Sequence, residues 1–265
     1  MYQVDVVTQG YPGKSPSHGG LGWSTVALLR GHGETILVDT GWHGLRDVLV
    51  RQLDKFGVKR DEVTGVALSH CHWDHICNFP LFPRAYLYFP RIELAWALSQ
   101  LANRLDPAPG SLHVPEFHLE SLAESPRLRV LDGGDEFLPG LSALAAPGHT
   151  PGHLVYVARS KRGSFIFTGD AVKNQAELMT EQADWSLDPE ESRRTIRAVR
   201  TLAAADPANV VVLGHDRLVS IERGGLVART PLAASVSARL TTDFDDETVF
   251  DVAQHSGVRG AHAEG

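Results

Sequence analysis

The sequence predicts a mixed α/β protein in which β-sheets are covered by helices. Short apolar strand-like runs alternate with amphipathic helical segments, and the same theme recurs in both halves of the chain. Hydrophobic residues make up 43% of the 265 residues and charged residues 22%, ordinary usage for a packed core. One domain over residues 1–265 is expected, with halves at about 1–110 and 111–250 and a polar, Gly/Ala-rich tail over about 251–265.

From the N-terminus, Tyr2–Thr8 alternates apolar and polar residues as a half-buried strand does. Tyr11–Gly22 is rich in Gly, Pro and Ser and reads as a loop. Ser24–Arg30 and Thr35–Asp39 read as strands joined by the turn at Gly31-His32-Gly33. Leu45, Val48, Leu49 and Leu53 recur at helical spacing until Gly57 stops them. Val63–Leu68 is a buried strand, Arg84–Phe89 another, and Arg91–Leu105 a helix rich in apolar surface. Pro/Gly-rich Asp106–Pro115 marks the crossover between the halves. Strands follow at Leu141–Ala146, Leu154–Ala158, Ser164–Thr168 and Val210–Leu213. Between the last two lies the clearest helix, with Asp188 as N-cap, Pro189 in its first turn, Glu191 completing a capping-box-like signature, and a stripe of Ile196, Val199 and Leu202.

Histidine is the outlier, with thirteen in the chain. Ser69-His70-Cys71-His72-Trp73-Asp74-His75 puts three imidazoles and a carboxylate just after an apolar strand. On an extended strand end His70 and His72 point the same way, while Asp74 and His75 fall in a turn or helix start and aim elsewhere. One pair can hold one ion and the other pair its neighbour. Three more donors end strand-like runs downstream: His149 in Pro147-Gly148-His149, Asp170 after Gly169, and His215 after Gly214. A glycine beside each donor lets the backbone turn sharply. Nitrogen-rich sets of this kind suit zinc.

His70-x-His72-x-Asp74-His75 followed by His149, Asp170 and His215, together with Asp39-Thr40-Gly41, resembles the metallo-β-lactamase superfamily over roughly residues 2–220. The resemblance implies a four-layer αβ/βα sandwich of two mixed β-sheets flanked by helices, with a dinuclear site at one edge. It implies that His70, His72 and His149 hold one ion, Asp74, His75 and His215 the second, and that Asp170 bridges them. Two divalent ions are expected, Zn2+ foremost, with Mn or Fe compatible. Such a pair lowers the pKa of a bridging water from about 15.7 to about 7, giving a hydroxide nucleophile at neutral pH. Asp74 or Asp170 would orient that water or pass a proton to the leaving group. With Asp rather than Cys at 170, and Asp74 present, the chain looks closer to lactonases, glyoxalase II-like thioesterases and phosphodiesterases than to β-lactam-hydrolysing members. The expected activity is hydrolysis of an ester, lactone or thioester, as in N-acyl homoserine lactonases. The alternatives are a phosphodiesterase or nuclease, and a mono-iron persulfide dioxygenase-like enzyme. Lactonases of that kind carry a tyrosine three residues after the bridging aspartate, whereas Asp170-Ala171-Val172-Lys173 places a lysine there. Lys173 is read either as a catalytic residue that stabilises an oxyanion or binds an acidic group, or as a solvated surface lysine.

The neighbouring residues divide by role. His149 is preferred over His153 as ligand, and Asp39 is read as orienting a ligand. Cys71 and Cys77 are read as buried thiols pointing away from the ions, and Trp73 as packing on the sheet. His18, His32, His43, His113, His118, His255 and His262 read as scattered and solvated, with His18 in a loop that borders the cleft. Trp23, Phe82 and the apolar residues of Arg91–Leu105 are the expected substrate wall, suited to an acyl or aromatic ester or lactone. A formal charge of −7, from Lys+Arg 25 against Asp+Glu 32, argues against nucleic acid as a partner. No signal peptide or membrane-length apolar run is visible, and two cysteines suit a reducing cytoplasm. A homodimer is compatible with the sequence.

Overall fold

The computed structural model describes residues 1–15, 17, 19–102 and 114–254. Its first half contains β1 (Gln3–Thr8), the short pair β2 (Lys14–Ser15) and β3 (Gly19–Gly20), β4 (Val26–Gly31), β5 (Glu34–Val38), α1 (Arg46–Lys55), β6 (Gly65–Ala67), the one-turn α2 (Trp73–Ile76), β7 (Tyr86–Pro90), α3 (Arg91–Ala102), α4 (Glu116–Ala123) and β8 (Leu128–Leu131). These build a sheet in the order β1-β4-β5-β6-β7-β8, antiparallel at β1-β4-β5 and parallel from β5 to β8. The second half contains β9 (Glu136–Leu138), β10 (Leu141–Ala145), β11 (Leu154–Arg159), β12 (Ser164–Phe167), α5 (Gln175–Thr180), α6 (Pro189–Ala204), β13 (Val210–Val212), β14 (Leu218–Glu222) and β15 (Gly225–Ala228). Its sheet runs β15-β14-β13-β12-β11-β10-β9, with β12-β13 its parallel pair.

Strand periodicity divides the core into three apolar layers. Ala27, Leu29, Ile36 and Val38 face Leu154, Tyr156, Phe167 and Val212 between the two sheets. Their alternates Leu28 and Leu37 point outward against Leu49 and Leu53 of α1, in a layer that also takes in Leu119 and Leu122 of α4. On the other side Val155, Ile166 and Val211 pack on Leu178 of α5 and Ile196, Val199 and Ala203 of α6. The result is the four-layer sandwich. Asp188 caps α6 as its sequence signature demands, its side chain accepting from the Glu191 N–H.

The first sheet recruits β8, which follows the expected crossover. β8 is short and only partly buried, which leaves little periodicity to read. By compactness the chain forms two units, Met1–Thr230 and Pro231–Gly265. The described part of the second unit pairs β16 (Ser235–Ala238) with β17 (Thr248–Asp251). The expected helix Arg91–Leu105 is described over Arg91–Ala102; its residues 103–105, and residues 106–113 of the expected crossover, lie outside the described residues.

Candidate metal centre

Strand ends deliver the donors to one edge of the sandwich. β6 leads through Leu68-Ser69 into His70, and β10, β12 and β13 lead into His149, Asp170 and His215. Because β12 and β13 are parallel and in register, Gly169-Asp170 and Gly214-His215 emerge side by side. A Cβ on Gly214 would stand 2.2 Å from the Gly169 carbonyl oxygen, so a side chain there would force the two donors apart. His72 precedes α2, and that single turn carries Asp74 and His75. The sheets are tied together here: Tyr156 Oη donates to Leu68 O (2.8 Å) and Thr25 Oγ1 to Leu213 O (2.6 Å).

The donors meet in two groups. His70, His72, His149 and Asp170 present ligand atoms within 4.8 Å of one another, and Asp74, His75 and His215 form a second such group. Asp170 faces both. Its Oδ2 lies 3.3 Å from His149 Nε2, while Oδ1 lies 3.2 Å from His75 Nε2 and 3.0 Å from His215 Nε2. Asp74 Oδ2 lies 3.3 Å from His215 Nε2.

A supporting layer fixes these rings. Asp39, held at φ 57°, accepts from Ser69 N–H and Ser69 Oγ and pairs with His75 Nδ1, each at 2.8 Å. A left-handed aspartate at this point is backbone strain retained beside a functional group. His153 Nε2 accepts from the Asp170 N–H at 3.0 Å, so His153 positions the Asp170 loop while His149 reaches the donor group. Glu93 of α3, unremarked in the sequence, is buried and accepts from the N–H of Cys71 (3.1 Å) and of Gly152 (3.0 Å), bracing both histidine-bearing loops. Only its charge within an apolar helix could have signalled it. Cys71 is a buried thiol whose pKa burial and Glu93 raise.

Burial, then the surrounding imidazoles, hold His70 well below the usual histidine range. Burial does the same to His149 and outweighs the opposing pull of Asp170. His153 is pushed down to about 4, again chiefly by burial. Burial also disfavours charge on His75 and His215, yet the carboxylates of Asp74 and Asp170 overcome it and raise both. Asp170 stays ionised far below its ordinary value despite burial, because His215, His75 and His149 surround it. His70 Nε2, His75 Nε2 and Asp170 Oδ1 are buried without a hydrogen bond of acceptable geometry. Such atoms are costly unless something satisfies them. The neutral imidazoles of His70 and His149 beside ionised Asp170 fit one divalent cation, and a second would take the place of the protons that the carboxylates favour on His75 and His215.

His72, Asp74, His149, Asp170 and His215 line a cleft of about 330 Å³ together with Pro12, Gly13, Trp73 and Trp185, with His70 and His75 buried behind them. The expected wall is thereby corrected. Phe82 is fully buried in the core, Trp23 packs at a tilt against Tyr11 and donates to Gln9 O, and none of the described residues of Arg91–Leu105 lines the cleft. Trp73, expected against the sheet, lies edge-on to Trp42 and lines the cleft instead. Lys173 also lines it, but its Nζ pairs with the buried Glu177 (2.9 Å) and donates to Trp185 O (3.1 Å), the carbonyl that His149 Nδ1 meets at 3.3 Å. Lys14, the other cleft cation, pairs with Asp184. His18, His113, His255 and His262 lie outside the described residues.

Residues 19–215 match the family described as the metallo-beta-lactamase superfamily. The chain belongs to the metallo-beta-lactamase superfamily. That match contains both donor groups in full, ending on His215. Within the superfamily, an N-acyl homoserine lactonase of Bacillus thuringiensis is 25% identical over 64% of this chain and 62% of its own length. A human protein, metallo-beta-lactamase domain-containing protein 1, is 33% identical over 74% of this chain and 63% of its own. The matched part of this chain thus spans less than two thirds of either relative. AidC, a dizinc quorum-quenching lactonase solved with a product, superposes with a TM-score of 0.62 at 20% identity, covering 78% of this chain and 79% of that one. That likeness is one of fold. No helix among the described residues is long and apolar enough to cross a membrane.

Proposed function

We propose that the chain is a metal-dependent hydrolase that cleaves the carbonyl group of a small ester, lactone or thioester. The observation that carries this reading is the seven-donor cluster opening onto a cleft walled by Trp73 and Trp185, in which both lysines are already paired with carboxylates. His70, His72 and His149 would hold one cation, Asp74, His75 and His215 the other, with Asp170 between them and Zn2+ the expected metal. When bound, such a pair supplies Lewis acidity and acidifies a water to near neutral pH.

The chain's own residues do the rest. Asp39 and His153 hold His75 and the Asp170 backbone in their orientations. Asp74 is partly open to the cleft, its side chain 15% exposed, and is placed to take a proton from the attacking water and return it to the leaving oxygen. Trp73 and Trp185 offer aromatic faces to an acyl chain or ring. Lys173 acts as a positioning residue in this reading, since its ammonium supports the Trp185 carbonyl beside His149. A cleft bearing Asp74, Asp170 and Asp184 and, among the described residues, no unpaired lysine favours a neutral carbonyl substrate over a phosphodiester. The names of the lactonase relatives point the same way. The two free thiols suit a reducing compartment such as the cytoplasm.

The test is a panel of lactones, aryl esters, thioesters and an aryl phosphodiester, assayed with Zn2+-loaded protein and with Asp170→Asn. Turnover of a carbonyl substrate, lost by about 100-fold or more in D170N, is expected. Turnover confined to the phosphodiester, or none on the carbonyl panel, overturns the reading.

A further inference from the structure

Three metal-ligating side chains that the dinuclear centre does not use converge just beyond α2. Cys77 caps the C-terminal end of α2, His43 opens the turn His43–Leu45 after β5, and His118 lies in α4. In the sequence these histidines are scattered; the fold brings a donor atom from each of the three residues within 4.8 Å of the others. The His43 and His118 rings meet edge to face with centroids 5.2 Å apart.

Two features make this arrangement a prepared site. The His43 backbone lies beside the Cys77 thiol and the Cys77 backbone beside the His118 ring, so the three elements are already neighbours. Ligating histidines generally give their other ring N–H to such a partner, which aims the free nitrogen at the ion. Burial is graded as well: Cys77 is buried, His118 half-buried and His43 exposed, giving an ion an entry path and a solvent-facing position. A tetrahedral zinc with bonds of about 2.0–2.3 Å sets its donors roughly 3.4–3.7 Å apart, a separation these side chains reach by small rotations.

We propose that His43, Cys77 and His118 form a third metal site, selective for a thiophilic ion of the zinc type and separate from the cleft. Binding forms a metal–sulfur bond and releases the thiol proton to solvent. Its fourth position is taken by water. Occupancy would staple the turn after β5, the end of α2 and α4 to one another, bracing the helix that carries Asp74 and His75.

Cobalt distinguishes it from the dinuclear centre, whose donors are all nitrogen and oxygen. Metal-free full-length protein is titrated with Co2+ while absorbance is followed. The first two equivalents give only weak visible bands, and a third is expected to add an intense near-ultraviolet thiolate-to-cobalt band. Cys71→Ser should keep that band and Cys77→Ser should lose it. His43→Ala, at an exposed position where folding is not at risk, should weaken the third equivalent by about tenfold or more. Zinc content after dialysis should fall from three per chain to two in C77S. Saturation of wild-type protein without a thiolate band, or a band that His43→Ala and Cys77→Ser leave unchanged, overturns the proposal.

Discussion

Removing the Glu93 carboxylate isolates the contribution of the brace behind the donors. In Glu93→Ala, the buried N–H groups of Cys71 and Gly152 lose their acceptor. Each stranded donor costs about 1–3 kcal/mol, so about 2–6 kcal/mol in total, against a domain stability of about 5–15 kcal/mol. For a unit of this size that is a fall in Tm of roughly 5–20 °C. Because Cys71 sits between His70 and His72, and Gly152 between His149 and His153, metal affinity should fall as well. Gln at 93 keeps one acceptor oxygen and should lie between the two. The pH dependence has a defined sign. Burial raises the Glu93 pKa, so the folded state holds this proton more tightly than the unfolded chain. Its contribution is full below the ordinary glutamate value of 4.5 and is lost as pH rises through the raised folded value. The advantage of the wild type over E93Q should therefore shrink with rising pH across that window. Thermal melts and chelator competition are the assays. A Tm for E93A within about 1 °C of wild type, with unchanged metal affinity, refutes the argument.

Other expectations follow from neighbouring contacts. Asp39→Asn disturbs the partner of His75 and Ser69 and should weaken metal binding by about 10–100-fold, read by chelator competition. Lys173→Met strands the buried Glu177 and should destabilise by about 3–5 kcal/mol in denaturant unfolding; a loss of kcat with no change in stability would instead assign Lys173 to the oxyanion. Trp185→Ala removes a cleft wall and should raise KM by roughly tenfold while kcat falls less, consistent with lost apolar burial of about 1.4 kcal/mol.

The layering and the donors were legible because both rest on strong local signals. The near-continuous apolar runs in Val26–Gly31 and Leu154–Arg159 follow from strands packed on two sides, and His149, Asp170 and His215 are each announced by an apolar strand and an adjacent glycine. β8, with its half-exposed Leu128–Leu131, carries no such signal, and its place is set by parallel pairing to β7. The cleft wall was misread for a related reason: Phe82 and Trp185 are both aromatic, and only tertiary packing sends one to the core and the other to the cleft. Glu93, Cys77, His43 and His118 matter through contacts between segments distant in sequence, which no local window contains.

His70, His72, Asp74 and His75 come from the first sheet's side, whereas His149, Asp170 and His215 come from the second, so neither half owns a complete donor set. A cation that engages Asp170 together with His75 acts as a rivet across the seam between the two sheets. Its capture must follow docking of the halves, which makes metal uptake a late event in folding and a clock for it. Shearing one sheet against the other would break the rivet before it melted either sheet.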